Sequence, residues 1–412
     1  MKSDLDALMQ ARNLDAILVF GNAEHNPPMY YLTGGGHVAK AVLIKKRGEP
    51  AVLYVNAMER EEAEKSGLRV IPVRQNGMKE LSQKPAQIFH EVGLSSGRVG
   101  VYGNANVSMT LHIVQRIKEE VPGVELVGEA EEDSLFMHAM EAKDESEVAR
   151  IRKMGKITTQ VVEKVREYLT SCRVREDEVL LREDGAPLTV GDVHSRIRLW
   201  TSELGAELPE GFIFSIGHDA GVPHSAGNPA DLMRLGQTIV FDFYPAEAGG
   251  GYYYDFTRTW SLGYASPEAQ KLYDEVKAVY DKVIENVDLN ASFKEYQKLV
   301  CDEFNKNGHN TPMHTPGVVT EGYVHSIGHG LGLNLHERPF SRHSDSDDYL
   351  LKPGVVITIE PGLYYPEKGM GVRIEDTYWM RPDGQLEKLA EYPYDFVLPM
   401  KKWNIINSNT ST

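Results

Sequence analysis

The sequence predicts an α+β protein of two domains. The 412 residues are 41% hydrophobic and 25% charged, which is ordinary for a globular chain. Up to about residue 140, short apolar runs alternate with polar helical stretches, whereas longer helices and paired strands follow. We therefore expect a smaller α/β domain over residues 1–140 and a larger domain over residues 141–412.

Four apolar runs in the first domain are bounded by turn residues and predict sheet strands. They lie at 16–20, 41–44, 51–55 and 99–102. An amphipathic helix is expected before the first strand, and a polar helix at 57–66. Gly93 to Gly97 matches the pattern GxSxG, but a helical stretch precedes it and a strand follows, so we interpret it as a turn instead of a nucleophile elbow.

The second domain opens with a helix that Asp144 can cap, with Glu147 three residues later as in a capping box. Apolar residues recur at helical spacing as far as Leu169. Ser266 and Pro267 begin another helix in the same way.

A shorter helix and four strands complete the second domain. The helix is expected near 193–204, and the strands at 238–244, 252–259, 355–359 and 372–378. The connection PAEAGGG joins the first two strands and predicts a long hairpin loop.

Charge and cysteine content narrow the class of protein. The formal net charge of −16 disfavours binding to nucleic acid and to an anionic membrane surface. It fits either simple solubility or carboxylates that bind cations. Two cysteines, Cys172 and Cys301, predict no disulfide framework. Neither a signal peptide nor a run of about 18 apolar residues is present, so a cytoplasmic location is expected.

Acidic residues inside apolar strands are the informative feature. Asp242 lies in IVFDF, Asp255 in YYYDFT, Glu360 ends VVITIE, and Glu375 lies in VRIED. A carboxylate in a strand core costs several kcal/mol unless it is paired or binds a cation. A single one is explained by a salt bridge, but four at strand centres and ends favour a shared cation site.

Histidines add to this pattern. His325, His329 and His336 stand within the glycine-rich segment VHSIGHGLGLNLHERP, where small residues permit close backbone approach. A lone histidine is more often structural, whereas three in twelve residues favour a site. The four carboxylates carry a charge of −4, which two divalent metal ions would balance, and one neutral imidazole adds a nitrogen ligand. This oxygen-rich set suits Mn²⁺, Co²⁺ or Fe²⁺, with Zn²⁺ also possible.

Most of the chain resembles the pita-bread metallopeptidases, which include aminopeptidase P, prolidase and creatinase. YYLTGGGHVAKAVLI resembles the creatinase-type N-terminal domain. IVFDF, YYYDFTRT, HSIGHGLGLNLHE, TIEPGLY and GVRIED resemble, in that order, the metal-binding segments of the catalytic domain. The resemblance implies a pita-bread catalytic domain, with a curved antiparallel sheet flanked by helices, after a smaller creatinase-type α/β domain.

The resemblance also implies the roles of individual residues. Asp242 would chelate one metal, His329 and Glu360 would bind the other, and Asp255 and Glu375 would bridge the pair. Glu360 would also accept a proton from the attacking water. The residues that would contact the substrate and assist catalysis are His224, His325, His336 and Arg373.

The implied reaction is hydrolysis of the peptide bond before proline in dipeptides or short peptides, by a hydroxide that bridges two metal ions. Mn²⁺ is the expected ion, and the family suggests a homodimer in which the small domain helps to close the partner's site. Two alternatives remain open. One is a metal-dependent dimethylsulfoniopropionate lyase on the same fold, and the other is a binding protein without catalysis. The intervals at 182–210 and between Asp242 and Asp255 are longer than is usual in the family and leave the substrate choice open.

Overall fold

The computed structural model describes residues 4–342 and 349–402. These residues separate into two compact units. The first contains the described residues up to Ala142 together with Glu247–Gly251, and the second contains Lys143–Ala246 and the described residues from Tyr252 onward.

The first unit is a six-stranded mixed sheet with helices. Its strands are β1 (Ala16–Gly21), β2 (Ala41–Lys46), β3 (Val52–Asn56), β4 (Arg69–Val73), β5 (Gly97–Asn104) and β6 (Val124–Val127). Their order in the sheet is β4-β3-β2-β1-β5-β6, and β2 runs antiparallel to both of its neighbours. All four strands predicted for this part of the chain are present.

The first unit contains seven described helices, some of which begin at side-chain caps. They are α1 (Leu5–Ala11), α2 (Pro27–Thr33), α3 (Arg60–Glu64), α4 (Gly77–Gln83), α5 (Pro85–Glu91), α6 (Val107–Glu120) and α7 (Leu135–Met140). The Asn76 side chain accepts a hydrogen bond from the backbone at the start of α4, and Asn106 does so at α6. Apolar residues of α4, α5 and α6 pack with the sheet in one buried cluster.

Four long helices belong to the second unit. They are α8 (Glu145–Ser171), α9 (Val190–Glu203), α10 (Pro267–Asn286) and α11 (Phe293–Lys306). The predicted capping box at α8 is present, since Asp144 accepts from the backbone of Glu147 and the Glu147 side chain accepts from Asp144 N. Ser266 caps α10 as predicted. Helices α10 and α11 bury one face against the sheet that carries His329.

The strands between Arg173 and Leu398 form several small sheets. They are β7 (Arg173–Val174), β8 (Leu180–Leu181), β9 (Ala206–Glu207), β10 (Ile213–Ile216), β11 (Thr238–Asp242), β12 (Ala246–Glu247), β13 (Thr257–Leu262), β14 (His329–Gly330), β15 (Glu337–Phe340), β16 (Val356–Ile359), β17 (Gly362–Tyr365), β18 (Met370–Arg373), β19 (Asp376–Met380), β20 (Leu386–Lys388) and β21 (Val397–Leu398). Two sheets position the site described below: β10-β11-β13-β21 and the antiparallel β15-β14-β16-β19-β20.

Two predicted strands were wrong in detail. The segment predicted at 252–259 enters a strand only at Thr257, because the Tyr253 and Tyr254 amides donate to Gly332 O and Pro245 O and so do not join one ladder. The segment predicted at 372–378 divides at Ile374 and Glu375 into β18 and β19. Strand β18 pairs with β17, whereas β19 pairs with β16.

Candidate metal centre

The two aspartates meet at one end of the first of these sheets. Asp242 is the last residue of β11 and lies opposite Thr257, the first residue of β13. Asp255 stands two residues before that strand, so the antiparallel pairing brings both carboxylates to the same end. Both side chains are buried. The backbone N–H of Phe256 donates to Asp255 Oδ1 at 2.9 Å.

The histidine and the two glutamates come from adjacent strands of the second sheet. His329 begins β14, Glu360 follows β16, and Glu375 precedes β19. Strand β16 lies between β14 and β19 in this sheet, which aligns the three positions. A bridge between Thr257 and Glu375 joins the two sheets. Residues distant in sequence therefore converge through ordinary strand pairing.

The distances define one cluster. His329 Nε2 lies 3.6 Å from Asp255 Oδ2 and 3.6 Å from Glu360 Oε1. One ligand atom from each of Asp255, His329 and Glu375 falls within a 4.8 Å span. Asp242 joins the cluster through Arg373, whose Nη2 donates to Asp242 Oδ2.

Two carboxylate oxygens in this cluster are buried and accept no hydrogen bond from the described residues, namely Asp242 Oδ1 and Glu375 Oε1. A buried charged oxygen without a partner is costly, and a cation is the usual compensation. Four carboxylates and one imidazole also form the oxygen-rich donor set that Mn²⁺-type ions prefer. The residues present thus fit divalent metal ions.

Burial controls the protonation of this cluster. Burial, reinforced by the charges of Asp242 and Glu360, raises the pKa of Asp255 well above its ordinary value. Burial also raises the pKa of Glu360 to about 8 and lowers the pKa of His329 to about 3. His329 is therefore neutral at pH 7 and has a lone pair for a metal, while Glu360 retains a proton that a divalent cation would displace.

His325 belongs to a hydrogen-bond chain beside the cluster. Its Nδ1 donates to Ser326 O at 2.7 Å, so its Nε2 accepts from the Tyr364 hydroxyl at 2.8 Å. Tyr364 in turn accepts from Arg373 Nη1 at 2.6 Å. His325 Nδ1 also lies 3.9 Å from Glu360 Oε2.

The other two predicted histidines are exposed. The His336 ring lies 4.3 Å from the His329 ring, measured between centroids. His224 stands in a turn after the 3₁₀ helix Asp219–Gly221. Burial, the charge of Arg373 and the neighbouring His224 lower the pKa of His325 to about 3. These two exposed histidines are accessible to a ligand.

Arg373 is buried, with 3% of its surface exposed. Besides Asp242 and Tyr364, its guanidinium contacts Thr257 Oγ1 at 3.2 Å and Pro223 O at 3.4 Å. Protein oxygens therefore surround it, and its contact with a substrate stays a prediction.

Sequence reasoning missed Thr257 and Tyr364, although both touch Arg373. Thr257 follows Asp255 by two residues and Tyr364 follows Glu360 by four. In a single sequence both residues look like ordinary components of buried strands. Only the position of each residue after an acidic neighbour could have signalled a role at the site.

Two expectations on the rest of the chain can be compared with the structure. Cys172 and Cys301 are both buried and free. Among the residues placed by the structure, no helix has the length and apolar composition needed to cross a bilayer.

The chain matches two family models. Metallopeptidase family M24 matches residues 149–382, and the Creatinase/Prolidase N-terminal domain matches residues 2–132. An Xaa-Pro dipeptidase of Pyrococcus horikoshii is 26% identical over 379 residues, which are 91% of this chain and 93% of that protein.

Solved structures share the fold. The Xaa-Pro dipeptidase from Bacillus anthracis has a TM-score of 0.76 at 20% identity, covering 96% of this chain and 98% of that one. The prolidase from Pyrococcus horikoshii has a TM-score of 0.73 at 23% identity, covering 96% and 99%. The predicted fold class, a pita-bread domain after a creatinase-type domain, is confirmed by the family matches together with these neighbours.

Proposed function

Because this chain belongs to metallopeptidase family M24, we propose that it hydrolyses the peptide bond before proline in dipeptides or short peptides, using divalent metal ions. Two relatives named Xaa-Pro dipeptidase, each 26% identical over most of the chain, support this substrate class. The observation that carries the proposal is the convergence of four carboxylates and one neutral imidazole, with two buried oxygens left without a partner.

The ligand roles form part of the proposal. Asp242 would chelate one ion, His329 and Glu360 would hold a second, and Asp255 and Glu375 would bridge them. Two divalent ions balance the four carboxylate charges, and the oxygen-rich set favours Mn²⁺ over Co²⁺, Fe²⁺ and Zn²⁺. When bound, such ions would supply Lewis acidity and lower the pKa of a water molecule toward neutrality.

The chain's own groups complete the chemistry. Glu360 would accept a proton from the attacking water and later return it. His224 and His336 are exposed and would hold the substrate carbonyl and its developing charge. His325 would donate or accept at the substrate only after its Nε2 leaves the Tyr364 hydroxyl. Arg373 would keep Asp242 oriented and contribute to substrate binding.

The proposal also covers the domains of the protein, its oligomeric state, its location and its partners. Residues 1–140 would form the creatinase-type domain and residues 141–412 the catalytic domain. We propose a homodimer in the cytoplasm that acts on short proline-containing peptides, without nucleic-acid or membrane partners. The two free cysteines are compatible with a reducing compartment, and the net charge of −16 argues against nucleic acid as a partner.

The test combines metal analysis with a peptide series. Protein stripped with a chelator and reloaded with Mn²⁺, Co²⁺ or Zn²⁺ would be assayed on Ala-Pro, Ala-Ala and Ala-Pro-Ala. Cleavage before proline is expected, with metal analysis showing about two ions per chain. Absence of cleavage before proline with every metal would overturn the proposal.

A pair of variants sharpens this test. Glu360→Ala should lose metal and turnover together, because it removes a ligand that lies 3.6 Å from His329 Nε2. Glu367→Ala removes an exposed carboxylate from a nearby 3₁₀ helix and should change neither. The lyase alternative is not favoured, since two relatives that match most of the chain are named Xaa-Pro dipeptidase.

A further inference from the structure

Thr257 lies between the buried Arg373 guanidinium and the buried Glu375 carboxylate, and its hydroxyl contacts both. Its side chain is fully buried at the first position of β13. Thr257 Oγ1 lies 2.7 Å from Glu375 Oε2 and 3.2 Å from Arg373 Nε.

The direction of each hydrogen bond is fixed by chemistry. A guanidinium N–H can only donate, so Thr257 Oγ1 accepts from Arg373 Nε. The hydroxyl then has a single proton to donate, and Glu375 Oε2 lies in position to accept it. The bond to Glu375 is therefore polarised by a neighbouring positive charge, which strengthens it.

This arrangement restrains Glu375. Its backbone N–H donates to Thr257 O at 3.1 Å, while its side chain accepts from the hydroxyl of the same residue. One carboxylate oxygen is thus held, and Oε1 remains buried without a partner. Arg373 acts in the same manner on Asp242, whose Oδ2 it holds and whose Oδ1 is left free.

We propose that Thr257 is a positioning residue for the metal site, and that its hydroxyl fixes the orientation of the Glu375 carboxylate toward the metal ions. The inference rests on the divalent-metal part of the proposed function and not on the choice of peptide. Groups that hold a metal ligand in this way change metal affinity by about 10- to 100-fold when they are removed.

The neighbouring Thr259 supplies a matched control. It is fully buried on the same strand, two residues later and so on the same face. Its hydroxyl donates to Arg373 O at 2.9 Å and accepts from Arg373 N at 2.9 Å. Its side chain makes two hydrogen bonds, as that of Thr257 does, but both go to the backbone of Arg373 and neither to a carboxylate.

The experiment compares Mn²⁺ affinity by competition titration in chelator-stripped Thr257→Val, Thr259→Val and Thr257→Ser proteins, each checked as folded by circular dichroism. Thr257→Val should bind Mn²⁺ about 10- to 100-fold more weakly. Thr257→Ser keeps the hydroxyl and should stay near the wild-type affinity, and Thr259→Val should do so even if its unfolding midpoint falls. Wild-type affinity in folded Thr257→Val, or an equal loss in Thr259→Val, would overturn the proposal.

A second comparison applies if Thr257→Val does not fold. Thr257→Ser and Thr257→Cys have the same number of side-chain atoms, but a thiol is a weak donor. The proposal requires weaker Mn²⁺ binding in the cysteine variant, and equal affinity would contradict it. Because the titration needs no substrate, a protein that binds Mn²⁺ as expected but leaves Ala-Pro intact would refute the peptidase proposal and leave this inference standing.

Discussion

Arg373 Nη2 donates a hydrogen bond to Asp242 Oδ2 at 2.5 Å, and both side chains are buried at the end of β11. A carboxylate that is proposed as a metal ligand thus also has a permanent cationic neighbour. One charge of the four-carboxylate cluster is compensated by protein, which lets Asp242 remain oriented before any ion arrives.

Arg373→Met should strongly destabilise the metal-free protein. The substitution leaves Asp242 buried without its ion pair, and loss of one partner of such a pair costs about 3–5 kcal/mol. Urea unfolding of chelator-stripped protein measures the change. The double variant Asp242→Asn with Arg373→Met should recover part of the loss, whereas strictly additive effects would show that the two groups are not coupled.

Metal binding should release protons. The pKa of Glu360 is raised to about 8, and the pKa values of Asp255 and Glu375 are raised as well, mainly by burial. Glu360 is therefore largely protonated in the metal-free protein at pH 7 and must ionise to bind Mn²⁺, and the shifts of Asp255 and Glu375 act in the same direction. Calorimetric titration in two buffers with different ionisation enthalpies counts the protons. A heat that is independent of the buffer would contradict the prediction.

The raised pKa of Glu360 also makes the stability of the metal-free protein depend on pH. Because the folded pKa of Glu360 exceeds its ordinary value of 4.5, the folded state binds the proton more tightly. The stabilisation from this group is complete below pH 4.5 and is lost as pH rises through about 8. Between these limits the free energy of unfolding should fall as pH rises, because the unfolded Glu360 loses its proton before the folded one does. Urea unfolding across this range should show the decline, and a rise would contradict it.

Gly328→Ala should disturb the position of His329. A Cβ at Gly328 would overlap the backbone carbonyl of Thr358 in the adjacent strand. Strand β14 would have to move away from β16, carrying His329 with it. We expect weaker Mn²⁺ binding and a lower unfolding midpoint. Gly128→Ala is the control, because its Cβ would meet nothing within 4 Å and should change neither quantity.

The sequence contained enough information to place the helix starts and the acidic strand ends. Asp144 and Ser266 cap helices because a short polar side chain followed by helical spacing is a local signal. Asp242 and Glu375 stood out because buried strands rarely carry lone carboxylates. Their geometric relation was not local, since it depends on which strands become neighbours.

What escaped prediction depended on three-dimensional pairing. The break at Ile374 arises because β18 and β19 belong to different sheets, although no glycine or proline interrupts the segment. Thr257 and Tyr364 gain importance through partners distant in sequence, such as Arg373, which lies more than 100 residues from Thr257. Hydrophobic periodicity has no information on such side-chain partners.

The most direct test of the central claim is anomalous diffraction from crystals soaked in Mn²⁺. We predict two peaks about 3.5–4 Å apart, both between Asp255 and Glu375, with Asp242 beside one and His329 and Glu360 beside the other. No peak at this cluster, or ions held elsewhere while the five side chains keep their present contacts, would contradict the account.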